Sequence, residues 1–283
     1  MSEFEFCTKE HIAEFIQKRK QFIKKEIDTQ TIIGHCRPRL LIIQVGDNPA
    51  SNRYVKGKIS DCNEVGIEAT LMKFPLNITY NEVAEFLKIE GHLYHGVIIQ
   101  KPTNKEIDDK FHELIKLITP FQDVDGFRKD SLHCACTPLG VVFYIGYSKG
   151  YNWLKGKHAV IVGRSELVGR PLFDLLLNLD CTVTVCHSKT KNLQEICKTA
   201  DLIVSAVGKA NMINKDFIKD KNTVVINVGF DFIDGKMIGD IDVNSVKEVT
   251  QWCTPIVGST GLLTRLMLMQ NTFDAYLVQE HYQ

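Results

Sequence analysis

Short apolar runs, each followed by a polar or amphipathic stretch, recur along the chain and restrict its fold more than any other feature. "RLLIIQVG" (39–46), "EATLMKFP" (68–75) and "GVIIQKP" (96–102) are the runs of the first half. "KHAVIVG" (157–163), "CTVTVCH" (181–187), "ADLIVSAVG" (200–208) and "NTVVINVG" (222–229) follow in the second. Runs this short and continuously apolar read as strands buried on both faces, which a parallel sheet covered by helices provides. The stretches "NRYVKGKISDCNEVG" (52–66), "YNEVAEFLKIEG" (80–91) and "KEIDDKFHELIKLI" (105–118) read as helices, the first closed by Gly66. Strands alternating with helices define the α/β class.

The rhythm pauses at "DSLHCACTPLG" (130–140), an irregular segment, after which "VVFYIGYSKGYNW" begins a helix leading to a second unit. A chain of 283 residues has room for two modest α/β domains or one large one. The expected division is 1–140 plus 263–283 for an N-terminal α/β domain and 141–262 for a Rossmann-like domain. The last segment, "GLLTRLMLMQNTFDAYLVQEH", reads as an amphipathic helix whose apolar stripe packs back on the first domain.

Charge and cysteine usage narrow the function classes. Lys plus Arg and Asp plus Glu number 34 each, so no basic footprint for nucleic acid or anionic membrane exists. A small-molecule substrate is the default. No run of about 18 apolar residues is present to span a bilayer. The start, "MSEFEFCTKEH", is charged and lacks an apolar secretory core. The nine cysteines are scattered without a CxxC pair, and Cys134 and Cys136 form only a CxC. That pattern suits free thiols in a reducing cytoplasm rather than disulfides or a zinc site. His92 and His95 form an HxxH that lacks Cys or carboxylate company, so no metal is expected.

"VIVGRSELVGRP" (160–171) follows a strand and opens a helix, the context of a nucleotide-binding turn. Its Gly163 and Gly169 are six apart, so it is not a GxGxxG. The logic survives the spacing: a small residue turns the backbone tightly, and N–H groups at the helix start face a phosphate. An ordinary α/β turn uses the same residues. The next strand sharpens the reading. An NAD site usually ends that strand with Asp or Glu on the ribose hydroxyls. Here it ends His187, Ser188, Lys189, with Arg164 in the turn. Donors and positive charge in place of an acid favour a 2′-phosphate, hence NADP over NAD. Gln100 ends a strand of the first half, where open α/β sheets place ligand groups.

Taken together, "YVKGK" (54–58), "GVIIQKP", "DVDGF" (123–127), "CTPLG" (136–140), "IVGRSELVGRP" (161–171), "TVTVCHSKT" (182–190), "GDID" (239–242) and "MLMQNT" (267–272) resemble the bifunctional methylenetetrahydrofolate dehydrogenase/cyclohydrolase family. The resemblance runs over nearly the whole chain. It implies NADP-dependent oxidation of 5,10-methylenetetrahydrofolate to the methenyl cation, then hydrolysis to 10-formyltetrahydrofolate. It also implies a cytoplasmic homodimer joined through the cofactor domains and a role in one-carbon metabolism and purine biosynthesis.

The family's Tyr-x-x-x-Lys falls on Tyr54 and Lys58. Residues at i and i+4 share a helix face, so both can point into one cleft. The resemblance makes Lys58 the acid/base of the hydrolysis and Tyr54 a packing partner of the folate, while Lys56 faces elsewhere. Burial disfavours a charged lysine and suits it to proton transfer near neutral pH. The bland alternative for Lys58 is a surface lysine. The resemblance gives Gln100 the role of orienting that lysine. It gives Asp125 the pterin's amino and ring N–H edge, against a plain turn residue before Gly126. Gly258 and Gly261 would meet the substrate. Gly163, Arg164, Ser165 and Ser188 would meet phosphates and ribose, and Val207, Gly208 and Phe230 the nicotinamide.

The chain departs from the family in three places, one of them the usual Lys-Asp-Val-Asp-Gly, which reads "QDVDG" (122–126). The usual Pro-Gly-Gly-Val-Gly-Pro-Met-Thr reads "VGSTGLLT" (257–264), keeping Gly258, Gly261 and Thr264 but bringing Ser259. Lost prolines would loosen this loop and added side chains would crowd the substrate. The usual Gln-Leu-Pro-Leu reads "QKPT", so Lys101 brings a charge near the site. The expectation is that both activities survive. The alternatives are a dehydrogenase with weak hydrolysis, a non-catalytic folate or nucleotide binder, and another two-domain NADP enzyme of shikimate type.

Overall fold

Helix α1 (Lys9–Ile32) precedes a parallel sheet of β1 (Arg39–Val45), β2 (Glu68–Phe74) and β3 (Gly96–Gln100) in the order β2-β1-β3. The computed structural model describes residues 7–281; residues 1–6, part of the charged N-terminal stretch, lie outside these. Successive strand residues point to opposite faces; β1 and β3 are covered on both, whereas β2, expected to be buried likewise, is an edge strand with no fully buried residue. Leu41, Ile43, Val45, Val97 and Ile99 enter one core. Leu40, Ile42 and Ile98 are equally buried on the other side. Each such side chain removed from water contributes about 1.5–3 kcal/mol.

The connecting helices carry clear end signals. α2 (Pro49–Val65) begins at Asn48, whose side chain accepts the Ala50 and Ser51 amides, and ends at Gly66 with φ 90°. α3 (Tyr80–Glu90) has a capping box between Thr79 and Glu82. The segment 105–118, expected as one helix, is instead α4 (Lys105–Asp109), α5 (Phe111–Leu114) and a 3₁₀ turn at Ile115–Leu117. The break falls at Lys110, where φ is −104° and ψ 17°. Ile107, Phe111, Leu114, Ile115 and Ile118 all reach the core, and one straight helix would have the same spacing. Periodicity therefore could not reveal the break.

α6 (Cys136–Lys149) starts inside the segment expected to be irregular. Pro138 lies in its first turn, where the missing N–H costs nothing. A second parallel sheet follows: β4 (His158–Val162), β5 (Thr182–Cys186), β6 (Leu202–Ser205) and β7 (Val224–Asn227), in the order β5-β4-β6-β7. Alternation again fills two layers. Ala159, Ile161, Leu202, Val204, Val224 and Ile226 enter one core, and Val160, Val162, Ile203 and Val225 the other. α7 (Gly169–Leu177) and α8 (Leu193–Cys197) connect these strands.

An antiparallel hairpin, β8 (Phe230–Ile233) with β9 (Lys236–Gly239), was not foreseen. Its turn, Asp234-Gly235, has positive φ at both residues, the Asp-Gly signature of a two-residue hairpin loop. α9 (Val243–Val246) and α10 (Thr260–His281) complete the chain. The chain divides into two compact units. Among the described residues, one comprises Lys18–Cys136 with 265–281, and the other groups Thr137–Thr264 with 7–17. α10 packs on the first sheet's unit as expected: Gln279 Nε2 donates to His95 O at 2.8 Å, and Arg19 Nε to Gln270 Oε1 at 2.9 Å.

Candidate active site

β1 is the centre of its sheet, with β2 on one side and β3 on the other. The crevice at its C-terminal end is where such sheets take ligands, and α2 departs from there. Ser51, Val55, Lys58, Cys62 and Val65 share the buried face of α2. Lys58 is 6% exposed, while Arg53 and Lys56 are exposed. Its Nζ lies 5.3 Å from the centroid of the Tyr54 ring. Among the described residues no carboxylate comes within 4.0 Å of that ammonium.

The nearest acid on the helix, Asp61, is engaged elsewhere. Lys20 Nζ is 2.7 Å from its Oδ1, and Arg265 Nε is 2.9 Å from its Oδ2. The Arg265 contact is close enough for an ion pair but too bent for a hydrogen bond. Arg265 reaches Asp61 across Gly57, where an added Cβ would lie 1.8 Å from its Nη1. The glycine of "YVKGK" thus makes room for a guanidinium.

Gln100 ends β3 opposite Gln44 of β1. Its Nε2 donates to Lys101 O at 2.8 Å, whereas its Oε1 is buried with no hydrogen-bond partner. A buried acceptor left open awaits a donor. The Lys101–Pro102 peptide bond is cis. Lys101, expected to bring a charge to the site, is drawn toward Asp108 at 3.5 Å and the Phe111 ring at 4.4 Å.

Asp125 sits in a turn that only glycine completes. Gly126 has φ 71°, and a Cβ there would lie 2.6 Å from the Ala135 amide nitrogen. Burial pushes the Asp125 carboxyl above its ordinary range, the Lys58 ammonium draws it back, and Asp123 adds to the rise. Cys136 Sγ donates to Val124 O at 3.3 Å and approaches Asp125 Oδ1 at 3.8 Å. Its thiol is pushed well up by burial and by Asp125, so it is no nucleophile. Asn271 on α10 braces this loop: its Nδ2 donates to Val124 O at 2.9 Å and Cys134 O at 3.0 Å. Nothing in the spacing of "MLMQNT" marks Asn271 for this task, since its partners lie far off in the chain.

In the other unit, Gly163 follows β4 with φ 127°, and a Cβ there would lie 2.4 Å from Ala206 O. A Cβ on Gly169 would lie 2.2 Å from Gly163 O. Both glycines are required by close backbone approach, which makes the cradle expected of a dinucleotide turn. Arg164 and Ser165 are exposed in it, and Ser165 Oγ accepts the Val168 amide at 3.2 Å. Ser188 is exposed after β5, in a turn closed by His187 N to Thr190 Oγ1 at 2.9 Å. Val162 and Cys186 are paired, so Gly163 and the His187–Ser188 end lie on adjacent strand ends. Val207 and Phe230 are exposed, and Gly208 has φ 69°.

In the bend before α10, Gly258 has φ 83°. Ser259 is buried, with its hydroxyl turned back to Pro255 O, so it adds no outward bulk. Gly261 falls in the first turn of α10. Thr260 Oγ1 donates to Asn227 O at 3.1 Å, and Thr264 Oγ1 to Thr260 O at 2.8 Å, holding the helix start without prolines.

His95 corrects one expectation, for it does have Cys and carboxylate neighbours. Cys36, His95 and Glu280 offer ligand atoms within 4.8 Å of one another. The Arg39 amide donates to His95 Nδ1 at 2.9 Å, which leaves the proton on Nε2, facing Glu280 Oε1 at 3.4 Å. A ring nitrogen that carries a proton cannot ligate a metal, so the cluster is a hydrogen-bonded anchor for the end of α10. His92 is exposed and separate.

Residues 10–125 match the family model described as the tetrahydrofolate dehydrogenase/cyclohydrolase catalytic domain, and residues 135–280 its NAD(P)-binding domain. The chain is 40% identical to the bifunctional protein FolD of Oceanobacillus iheyensis, over 93% of this chain and 94% of that protein. It superposes on the bifunctional FolD of Campylobacter jejuni with TM-score 0.89 and 34% identity, covering 95% and 98% of the two chains. The Trypanosoma brucei enzyme, solved with NADP and an inhibitor, gives TM-score 0.85 over 94% and 96%. At 24% identity that last likeness is one of fold.

Proposed function

The chain belongs to the tetrahydrofolate dehydrogenase/cyclohydrolase family, and from that premise we propose how its residues divide the work. It is a methylenetetrahydrofolate dehydrogenase and methenyltetrahydrofolate cyclohydrolase with a nicotinamide cofactor. The glycine cradle at Gly163 and Gly169 fits a dinucleotide, having room for a phosphate's approach and none for a Cβ. A bound nicotinamide supplies the acceptor for the hydrogen that leaves the one-carbon bridge of the folate. The protein's part in that step is orientation. Gly163, Arg164 and Ser165 hold the phosphates, and Val207, Gly208 and Phe230 the nicotinamide end.

Hydrolysis of the methenyl cation is assigned to Lys58. The observation that carries this assignment is its burial beside Tyr54 with no carboxylate within 4.0 Å among the described residues. A lysine so placed can exchange its proton with the attacking water. Gln100 Oε1, buried and open, accepts from the lysine or the water and orients it. Asp125 accepts from the pterin edge, with Tyr54 packing against the ring and Gly258 and Gly261 at the substrate side. Ser188 and Arg164, with no acid after β5, favour NADP over NAD. Nine free cysteines suit a reducing cytoplasm, and the family resemblance suggests a homodimer serving purine synthesis.

The test is direct. The purified protein is given methylenetetrahydrofolate with NADP or NAD, and reduced cofactor and methenyl absorbance are followed together. Turnover with NADP, without methenyl build-up, is expected. Build-up would leave a dehydrogenase alone, and no turnover with either cofactor would overturn the reading.

A further inference from the structure

Asp240 follows β9 and is fully buried. Its carboxylate takes three hydrogen bonds from the last residue of β6 and the short segment that follows it. Ser205 Oγ donates to Oδ2 at 2.9 Å, Val207 N to Oδ2 at 2.7 Å, and Lys209 N to Oδ1 at 2.7 Å. Among the described residues no cation comes within 4.0 Å of it, so its partners are hydrogen-bond donors. The end of β7 closes on the same group. Asp240 N donates to Gly229 O at 3.0 Å, and a Cβ on Gly229 would lie 2.2 Å from Oδ2. One carboxylate therefore shapes the backbone of 205–209 and of 227–230. These two segments carry Val207, Gly208 and Phe230.

We propose that Asp240 is the positioning residue for the nicotinamide end of the cofactor site: it fixes the Val207 and Lys209 amides and seats Gly229, and so serves the dehydrogenase but not the hydrolysis. This rests on the reading that the strand ends of this unit bind the dinucleotide. Asp240 itself need touch neither cofactor nor folate. A neutral carboxamide of the same shape would not replace it, because its NH2 would face one of the amides it now accepts and leave a buried donor unpaired.

The full chain is titrated with NADPH, followed by its fluorescence, as wild type, Asp240→Asn and Ser205→Ala. Hydrolysis of methenyltetrahydrofolate is measured on the same samples without nucleotide. For Asp240→Asn, NADPH binding should weaken about tenfold, the scale of one unpaired buried amide. The KM for NADP should rise while that for methylenetetrahydrofolate holds. Ser205→Ala removes one donor of the three and should weaken NADPH by about threefold. Hydrolysis should stay within about twofold of wild type in both. Wild-type NADPH affinity in Asp240→Asn, or hydrolysis falling in step with binding, would overturn the proposal. Should Asp240→Asn not fold, Ser205→Ala decides: unchanged affinity refutes the positioning role. If the wild type itself fails to bind NADPH, the cofactor reading falls, and this role falls with it.

Discussion

Replacing Lys58 by Met separates chemistry from packing at one position. The side chains have similar length and volume, so the buried stem keeps its contacts while the ammonium is lost. General acid/base groups contribute about 10²–10⁴-fold, or about 3–5 kcal/mol of barrier. Hydrolysis should fall by that factor. Stability should hardly change. The ammonium over Tyr54, at 5.3 Å, contributes about 0.5–1 kcal/mol. Relief of burying it without a carboxylate within 4.0 Å, among the described residues, returns about 1–3 kcal/mol. Part of that relief is offset by the lost attraction to Asp125. The net shift in Tm should be a few degrees at most, at about 2–4 °C per kcal/mol. Lys56→Met, on the exposed face, should leave both quantities unchanged. The assay is loss of methenyl absorbance beside a thermal melt. Equal losses in the two variants, or full hydrolysis in Lys58→Met, would refute the reasoning.

Gly57→Ala gains about 1 kcal/mol of helix propensity but displaces Arg265 from Asp61, so alone it should be nearly neutral. In an Arg265→Ala background the same change should stabilise by about 1 kcal/mol, a coupling read from urea melts. Asn271→Ala leaves the Cys134 carbonyl without this donor and the Val124 carbonyl with only the weak Cys136 thiol, and should cost about 1–3 kcal/mol, with a raised KM for folate. Asp125 has a carboxyl held above its ordinary value of 3.8. Such a group stabilises the fold fully below the unfolded value and loses that contribution as pH rises through the folded one. Asp125→Asn should therefore be more stable than wild type at neutral pH, with the gap closing in acid; urea melts from about pH 4 to about pH 8 that keep a constant gap would count against it.

The two parallel sheets and the terminal helix were legible because they rest on local pattern. Strands such as Arg39–Val45 and His158–Val162 are apolar on both faces, and Gly66 marks the end of α2, although its start after Asn48 lies ahead of the expected one at Asn52. The Asp234-Gly235 hairpin was also written in local code and was overlooked. The family resemblance, together with the spacing of Tyr54 and Lys58, selected one lysine of α2 for the cleft; spacing alone left it a surface lysine. Whether that ammonium stood alone was a matter for the packed chain, since Asp61 one turn away is held by Lys20 and Arg265.

Composition and periodicity were enough to determine the α/β class and the two-part plan, because burial on two faces leaves marks every few residues. Tertiary structure alone decided that Lys101 turns to Asp108, that Asn271 holds a loop 135 positions away at Cys136, and that Asp240 gathers the amides of Val207 and Lys209. A polar side chain that meets a distant backbone has no period to betray it; its partner is chosen by where the strands end, and that is known only when the chain has folded.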